Sequence, residues 1–333
     1  MHIYRHLDDL PPSPAPAVAT IGNFDGVHRG HRWVIANVLE RARSRGLRSL
    51  VITFDPHPAR AIRPDLSPPL LTPLEHKLDL LAQTGVDDVV VLPFNGDLAR
   101  MSARQFAQQI LRDRLNVVEL HEGENFRFGH QAEADIAVLT SLGAELGFSV
   151  ASYPPQSFHG CTVSSSRIRN LVASGYVSAA RRLLHRPFSI RGTPAPGRGY
   201  GTRYTVPTIN LAPHHELLPA NGVYITQLRI GASTSAETLE AVTNIGNRPT
   251  FGADSFTVES HLLNFHPLDL TESTPLELCF FRRLREEKRW PTPEALREQI
   301  GRDVTTAKRY FSLLRQLASS RAQLSSITRS THS

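Results

Sequence analysis

Two imidazoles three residues apart, His28 and His31, close the stretch Gly22-Asn23-Phe24-Asp25-Gly26-Val27-His28-Arg29-Gly30-His31. An apolar run at 17–21 stops at Gly22, and Val34, Val38, Leu39 and Ala42 follow at helical spacing, so the stretch joins a strand to its helix. That junction is where an open α/β sheet binds nucleotides. Glycines let the backbone approach phosphate, and the free amides of a helix start favour anions. Side chains at i and i+3 can project to one side, so both imidazoles can donate to phosphoryl oxygens. The bland alternative is a pair of histidines that merely cap a helix; the glycines, Asn23 and Asp25 beside them favour the phosphate site. The chain has no Walker lysine motif, and Gly197, Gly199 and Gly201 do not satisfy G-x-G-x-x-G, which excludes a P-loop and a dinucleotide fingerprint.

A second group lies far along the chain. In Pro207-Thr208-Ile209-Asn210 a hydroxyl and a carboxamide stand two residues apart. On a strand both then share one face, where both can reach a Mg²⁺ bound to phosphates, with Pro207 fixing the approach of the chain. Further on, alternation places Phe256, Val258 and Leu262 on one face and Thr257, Glu259 and His261 on the other. A carboxylate so displayed beside a metal-bound ATP can accept the proton of an attacking alcohol. Standing alone, Glu259 would be better read as a solvated charge on the outside of a barrel.

The elements that must hold these groups differ between the two halves. Apolar runs at 17–21, 49–54, 88–92, 117–120 and 148–151 alternate with helical patterns at 30–45, 74–83, 103–114 and 135–146. Such βαβ units have parallel strands and right-handed crossovers, so the first half is α/β. After Arg186-Pro187 the texture changes to strand-type runs at 188–191, 208–211, 223–230, 241–244, 256–265 and 276–283, joined by Gly, Pro, Asn and Ser turns. Six such runs predict a small closed antiparallel barrel, because closure removes exposed edges. Thr292 and Pro293 then start a helix with Leu296, Ile300, Val304, Ala307, Phe311 and Leu314 on one face, packed on the barrel. The tail 319–333, rich in Ser, Arg and Thr, is expected to fray. The division is 1–186, 187–318 and that tail.

A chain of 333 residues suits two domains, and 40% hydrophobic with 20% charged residues is a globular composition. The net charge is +6, but Arg is spread along the chain and Lys is confined to Lys77, Lys288 and Lys308. Scattered arginines favour phosphorylated small molecules over nucleic acid. Cys161 and Cys279 lack C-x-x-C spacing and imply neither zinc nor a disulfide framework. Residues 1–17 hold Asp8, Asp9 and several prolines where a signal peptide needs an apolar core, and no later stretch approaches the roughly 18 apolar residues of a membrane helix. A cytoplasmic protein with no membrane partner is expected.

The H-x-G-H at His28 to His31 resembles the signature of nucleotidyltransferases, and the longer run G-N-F-D-G-V-H-R-G-H is similar to that of the bacterial bifunctional riboflavin kinase and FAD synthetase family. Thr53-Phe54-Asp55-Pro56-His57-Pro58, Gly123-Glu124-Asn125-Phe126-Arg127-Phe128-Gly129 and Ser164-Ser165-Ser166-Arg167-Ile168-Arg169 fit the same family in order and spacing. In the second half P-T-I-N resembles the P-T-A-N of riboflavin kinases. Asn244-Ile245-Gly246-Asn247-Arg248-Pro249-Thr250-Phe251 resembles N-I-G-x-x-P-T-F, Val258-Glu259-Ser260-His261 resembles V-E-x-H, and Arg283-Leu284-Arg285-Glu286 matches the L-R-x-E segment that follows.

The resemblance implies an α/β plus β chain: a Rossmann-like H-x-G-H nucleotidyltransferase domain, then a six-stranded antiparallel β-barrel riboflavin kinase domain with a C-terminal helix. It implies FAD synthesis from riboflavin in two ATP-dependent steps, with riboflavin, FMN and ATP as small-molecule partners and Mg²⁺ as cofactor. In the transfer the FMN phosphate attacks the α-phosphorus of ATP and pyrophosphate leaves. The nucleophile is already an anion, so alignment and charge neutralisation must carry catalysis. His28, His31 and Arg169 are the candidates for neutralisation and Ser164 and Ser165 for positioning phosphates, with Gly22, Asn23, Phe24, Asp25 and Gly30 in the ATP loop. By the same resemblance His57, Pro58, Asn125 and Arg127 line the place where nucleotide and flavin meet. Thr208 and Asn210 are the metal ligands, Glu259 is the catalytic base, and Gly197, Gly199 and Gly201 form a flexible cover for the ATP phosphates.

Two stretches depart from the family pattern: Tyr204-Thr205-Val206 where Leu-Gly-Phe is usual, and Asp269-Leu270-Thr271-Glu272 where Asp-Leu-Tyr-Gly is usual. An FAD synthetase whose barrel is a weakened or inactive kinase is therefore the alternative among enzymes. A basic nucleic-acid-binding β-barrel is the alternative of another class, disfavoured because no strand interleaves exposed aromatics with basic residues. The oligomeric state is left open, a weak or transient homo-oligomer included.

Overall fold

A computed structural model describes residues 1–195, 208–231, 236–248, 255–264, 268 and 270–330. The first half alternates strand and helix: β1 (His2–Tyr4), β2 (Ala17–Ile21), α1 (Arg29–Arg45), β3 (Arg48–Asp55), α2 (Pro58–Ile62), α3 (Leu74–Ala82), β4 (Asp88–Pro93), α4 (Gly96–Arg100), α5 (Ala103–Gln105), β5 (Val117–Gly123), α6 (Ile136–Leu146) and β6 (Ser149–Tyr153). The strands form one parallel sheet in the order β1-β4-β3-β2-β5-β6. β2 is buried along its whole length, as a strand covered on both faces must be. The order turns at β2, with β3 on one side and β5 on the other, and such switch points bind ligands beyond the strand C-termini. The β2–β5 ladder reaches only Ala19 opposite Leu120. Beyond it the Glu122 carboxyl takes over, Oε1 accepting the Ile21 N–H at 2.5 Å and the Thr20 hydroxyl at 3.4 Å.

The α/β reading of this half holds, with the short helices α2 and α4 added and two further differences. His2–Tyr4 adds an edge strand beside β4, and three residues are too few to show a period. The helix expected over 103–114 is α-helical only at Ala103–Gln105 and continues as a π-helix, Phe106–Arg114, in which the Leu115 N–H reaches the Ile110 carbonyl at 3.0 Å. Either winding buries Phe106, Ala107, Ile110 and Leu111, so apolar spacing does not separate them.

A short hairpin, β7 (Ser157–Phe158) and β8 (Cys161–Thr162), precedes α7 (Ser165–Ala173) and α8 (Val177–Leu184). Then come β9 (Phe188–Pro194), β10 (Thr208–Pro213), β11 (Gly222–Ile230), β12 (Glu237–Arg248), β13 (Ser255–Leu262) and β14 (Leu276–Arg285). They close an antiparallel barrel in the order β10-β13-β12-β11-β14-β9, as expected. Tyr224, Phe188 and Phe280 are fully buried, and a hydroxyl chain runs from Thr226 to Thr243 at 2.6 Å and on to Ser260 at 2.8 Å. Val223, Ile225, Val242 and Phe281 instead pack against Ala307 and Phe311 of α9 (Pro293–Ser330). Thr292 caps that helix, its Oγ1 accepting the Ala295 N–H at 3.2 Å. The expected frayed tail differs: α9 runs on to Ser330 through Arg321, Ala322, Gln323 and Leu324, all good helix formers. The chain divides into two compact units, Met1–Arg169 with Leu183–His185, and Asn170–Arg182 with Arg186–Ser333.

Candidate active sites

In the first unit the loop from β2 to α1 is tied down by Asp25. Its buried carboxylate accepts the N–H groups of Leu71 and Thr72, each at 3.0 Å, and lies 3.3 Å from Nη2 of Arg169. Ser165 Oγ donates to the Asp25 carbonyl at 2.9 Å, while Ser164 Oγ accepts the Arg167 N–H at 3.3 Å. The serine–arginine motif is thus folded onto the histidine loop. His28 is the N-cap of α1, its Nδ1 accepting the His31 N–H at 3.3 Å. In the neutral ring an accepting Nδ1 leaves the proton on Nε2, which is then a donor. The His28 and His31 rings stack at 3.6 Å, and Phe24 meets His31 edge-on at 5.1 Å. Gly30 permits the stack, since a Cβ there would stand 3.2 Å from His28 Cε1.

Beside this cluster opens a cleft of about 1040 Å³ lined by Gly22, Asn23, Pro58, Asn125 and Arg127, with His28, His31, His57, Ser164, Ser165 and Arg169 outside that lining. Arg127 Nη1 lies 3.7 Å from Asp135 Oδ2. Phe54, Phe94, Phe106 and Phe126 add aromatic rings to the lining, which suits a flat ring. His57 caps α2, its Nδ1 accepting the Ala59 N–H at 3.2 Å. Burial holds this imidazole below its usual range; Asp25 pulls it up, and Arg169, Lys77 and Arg60 push it down. His57 therefore stands in the field of the Asp25–Arg169 pair and is a neutral ring at neutral pH.

In the second unit strand register assembles the site. Asn210 of β10 faces Glu259 of β13, which faces Asn244 of β12; one pair along, Thr208 faces His261, which faces Val242. Opposed residues share a face, and Val242 belongs to the face that α9 covers. Thr208, Asn244, Glu259 and His261 line a cleft of about 1090 Å³ whose other wall is Trp290 with Leu296 and Ile300 of α9. Register brings Asn210 beside Glu259, outside that lining. Arg285 is held by Asp303 at 2.9 Å. Burial lowers the His261 pKa, which Glu259 raises and Lys308 lowers. Gly197, Gly199, Gly201 and Pro207 lie outside the described residues, as do Tyr204, Thr205, Val206 and Asp269.

Residues 10–167 match the family model for FAD synthetase, and residues 184–311 match that for riboflavin kinase. The bifunctional riboflavin kinase/FMN adenylyltransferase of Pseudomonas fluorescens is 37% identical over 309 residues, covering 92% of this chain and 97% of that one. The chain belongs to the bifunctional riboflavin kinase/FMN adenylyltransferase family. The Escherichia coli K12 member of this family is 34% identical over 314 residues, covering 94% of this chain and 99% of that one. A crystal structure described as a macrolide-efflux protein from Streptococcus pneumoniae shares the fold, with a TM-score of 0.80 at 23% identity over 92% of this chain and 98% of that one. Among the described residues no helix is long and apolar enough to cross a membrane.

The family's motifs miss several groups that line these clefts or hydrogen-bond to residues that do. Lys77 is buried under the histidine loop, and its one signal is that lysine is so scarce in this chain. Glu122 adjoins the Gly123 motif but reads as an ordinary surface carboxylate. Asn244 lies within a quoted motif, yet only the β12–β13 register aims it at Glu259. Trp290 stands in a polar stretch after the last strand with no period to mark it.

Proposed function

We propose that this chain makes FAD from riboflavin in two ATP-dependent steps. Riboflavin is phosphorylated to FMN at the barrel cleft, in the kinase domain 187–318. FMN is adenylylated, with loss of pyrophosphate, at the switch point of the parallel sheet, in the domain 1–186. One observation carries the reading: in each half, motifs far apart in sequence converge on one cleft, Gly22, Asn23, Pro58, Asn125 and Arg127 on the first and Thr208, Asn244, Glu259 and His261 on the second.

In the transfer, ATP lies along the loop 22–31 with its phosphates at the start of α1. An FMN phosphate oxygen bonds to the α-phosphorus while the bond from that phosphorus to the bridging oxygen breaks. Nε2–H of His28, the His31 ring and the Arg169 guanidinium neutralise the charge gathering on the departing pyrophosphate. Asp25 holds Arg169 in place, and the aromatic rings in the cleft lining take the flavin ring. In the kinase step Glu259 takes the proton of the flavin's terminal hydroxyl as its oxygen bonds to the γ-phosphorus, while the bond from that phosphorus to the β–γ bridging oxygen breaks and ADP leaves.

The Thr208 hydroxyl and the Asn210 carboxamide are hard oxygen donors on one face, which suits Mg²⁺ held by few protein ligands beside substrate phosphates and leaves Glu259 to act as the base. Among the described residues no group of three or more His, Cys, Asp or Glu offers another metal cage. Bound there, the ion supplies neutralisation of phosphate charge. Unpaired Cys161 and Cys279 suit a cytoplasmic setting.

Incubation with riboflavin, ATP and Mg²⁺ followed by chromatography of the flavins reads both steps. His31→Ala should slow FMN to FAD by on the order of 10²-fold and spare riboflavin to FMN. Glu259→Gln should slow the kinase step by at least about 10²-fold and spare the transfer. A variant that leaves its own step intact removes that residue from the mechanism.

A further inference from the structure

Lys77 stands on α3 with only 7% of its surface exposed, and Nζ has three acceptors: Thr53 Oγ1 at 3.0 Å, the Phe54 carbonyl at 3.2 Å and the Asn23 carbonyl at 3.3 Å. An ammonium has three N–H donors and accepts nothing, so the set is saturated only when the amine is protonated. Asn23 belongs to the β2–α1 loop, whereas Thr53 and Phe54 end β3 just before the β3–α2 loop. Asn23 and Phe54 both line the first cleft. We propose that Lys77 is a positioning residue for adenylyl transfer, its ammonium clamping together the two βα loops between which the nucleotide binds. This rests on placing ATP at the switch point.

All three acceptors are uncharged, so the clamp costs desolvation with no direct ion pair to offset it. A residue serving stability alone would be better served there by an apolar chain. The charged and titratable groups that face it are Asp25 from the loop, Asp55 from the end of β3 and His57 from the start of α2, with Arg169 beyond Asp25. Burial pulls the Lys77 amine down to about 8, against Asp25 and Asp55, which raise it. On losing its proton the amine turns a lone pair toward one of its acceptors, and one leg of the clamp is lost.

Stability and transfer should then respond to alkali in opposite senses. The folded-state pKa lies below the model-compound value of 10.5, so between about 8 and 10.5 this group's contribution to stability grows as the pH rises. Transfer, which needs the ammonium, declines through the same window. A lysine with a merely structural role would not lower the transfer rate there.

The test uses the full chain and assays both steps in each variant. Lys77→Met should lower kcat/KM for FMN to FAD by about 10²-fold, the scale of an ångström-sized misplacement, and leave riboflavin to FMN within about twofold. Lys77→Arg, which stays charged, should keep part of the transfer and carry its alkaline limb to higher pH. Transfer at the parent rate in Lys77→Met, or an unmoved alkaline limb in Lys77→Arg, overturns the proposal. Where Lys77→Met does not fold, the Lys77→Arg limb decides. His31→Ala separates the two levels: if it also transfers at the parent rate, the placement of ATP fails, and if it alone loses transfer, only the role of Lys77 falls.

Discussion

Replacing Glu122 by Gln should stabilise the first unit, and by more as the pH rises. The carboxyl is wholly buried where β2 and β5 separate, and burial pushes its pKa well above the ordinary 4.5, against the Ile21 and Thr20 hydrogen bonds, which lower it. The folded chain therefore keeps a proton that the unfolded chain releases above 4.5. For a raised carboxyl the contribution to stability is whole below the unfolded pKa. It is lost, at up to about 1.4 kcal/mol per pH unit, as the pH climbs toward the folded value. Glutamine copies the protonated acid, its carbonyl accepting the Ile21 N–H and its amide replacing the O–H, and it does not titrate. From about pH 5 to about pH 7 the gap between variant and parent should widen by up to about 2.7 kcal/mol. Urea unfolding at stepped pH reads it, with Trp290→Phe in both proteins so that Trp33, packed on Tyr153 at 4.7 Å, reports on the first unit. A gap that stays constant over that window, or a Glu122→Gln protein less stable throughout, would mean that the carboxyl is ionised in the fold and would refute the reasoning.

Asp25→Asn should strip the buried counter-ion from the half-buried Arg169 guanidinium and cost about 3 kcal/mol, read by urea unfolding followed at Trp33, with adenylyl transfer lost before the kinase step. Because Asp25 raises the Lys77 pKa, any transfer that remains should show its alkaline limb at lower pH than the parent's. Phe311→Ala should open a cavity between α9 and the barrel at a cost of about 3–5 kcal/mol, since Phe311 is fully buried and packs against Phe281 at 5.6 Å. The midpoint for loss of riboflavin phosphorylation in urea should fall accordingly.

Much of the first cleft is legible in the sequence because its signals are local. A glycine-rich turn between a strand and a helix announces itself, and so does the cap at Thr292, whereas the caps at His28 and Asp135 emerge only in the structure. The same holds for Thr208 with Asn210 and Glu259 with His261, where a period of two decides which residues share a face. The π-winding over Phe106–Arg114 and the edge strand His2–Tyr4 are not legible, the first because burial at four-residue spacing fits two helices, the second because it is too short.

Residue order by itself determined the α/β half, the six barrel strands, the capping helix start and the two imidazoles at the end of β2, since each depends on neighbours a few positions away. Which distant groups meet was decided by tertiary structure alone. Glu122 fills a gap that exists only because β2 and β5 part after Ala19, and Asn244 reaches Glu259 only through the register that barrel closure imposes. Lys77 reaches Asn23 and Phe54 only because α3 packs under two loops that come from other strands. Burial, which turns a carboxyl into a proton holder and an amine into a weak acid, belongs to the packed chain and has no counterpart in local sequence.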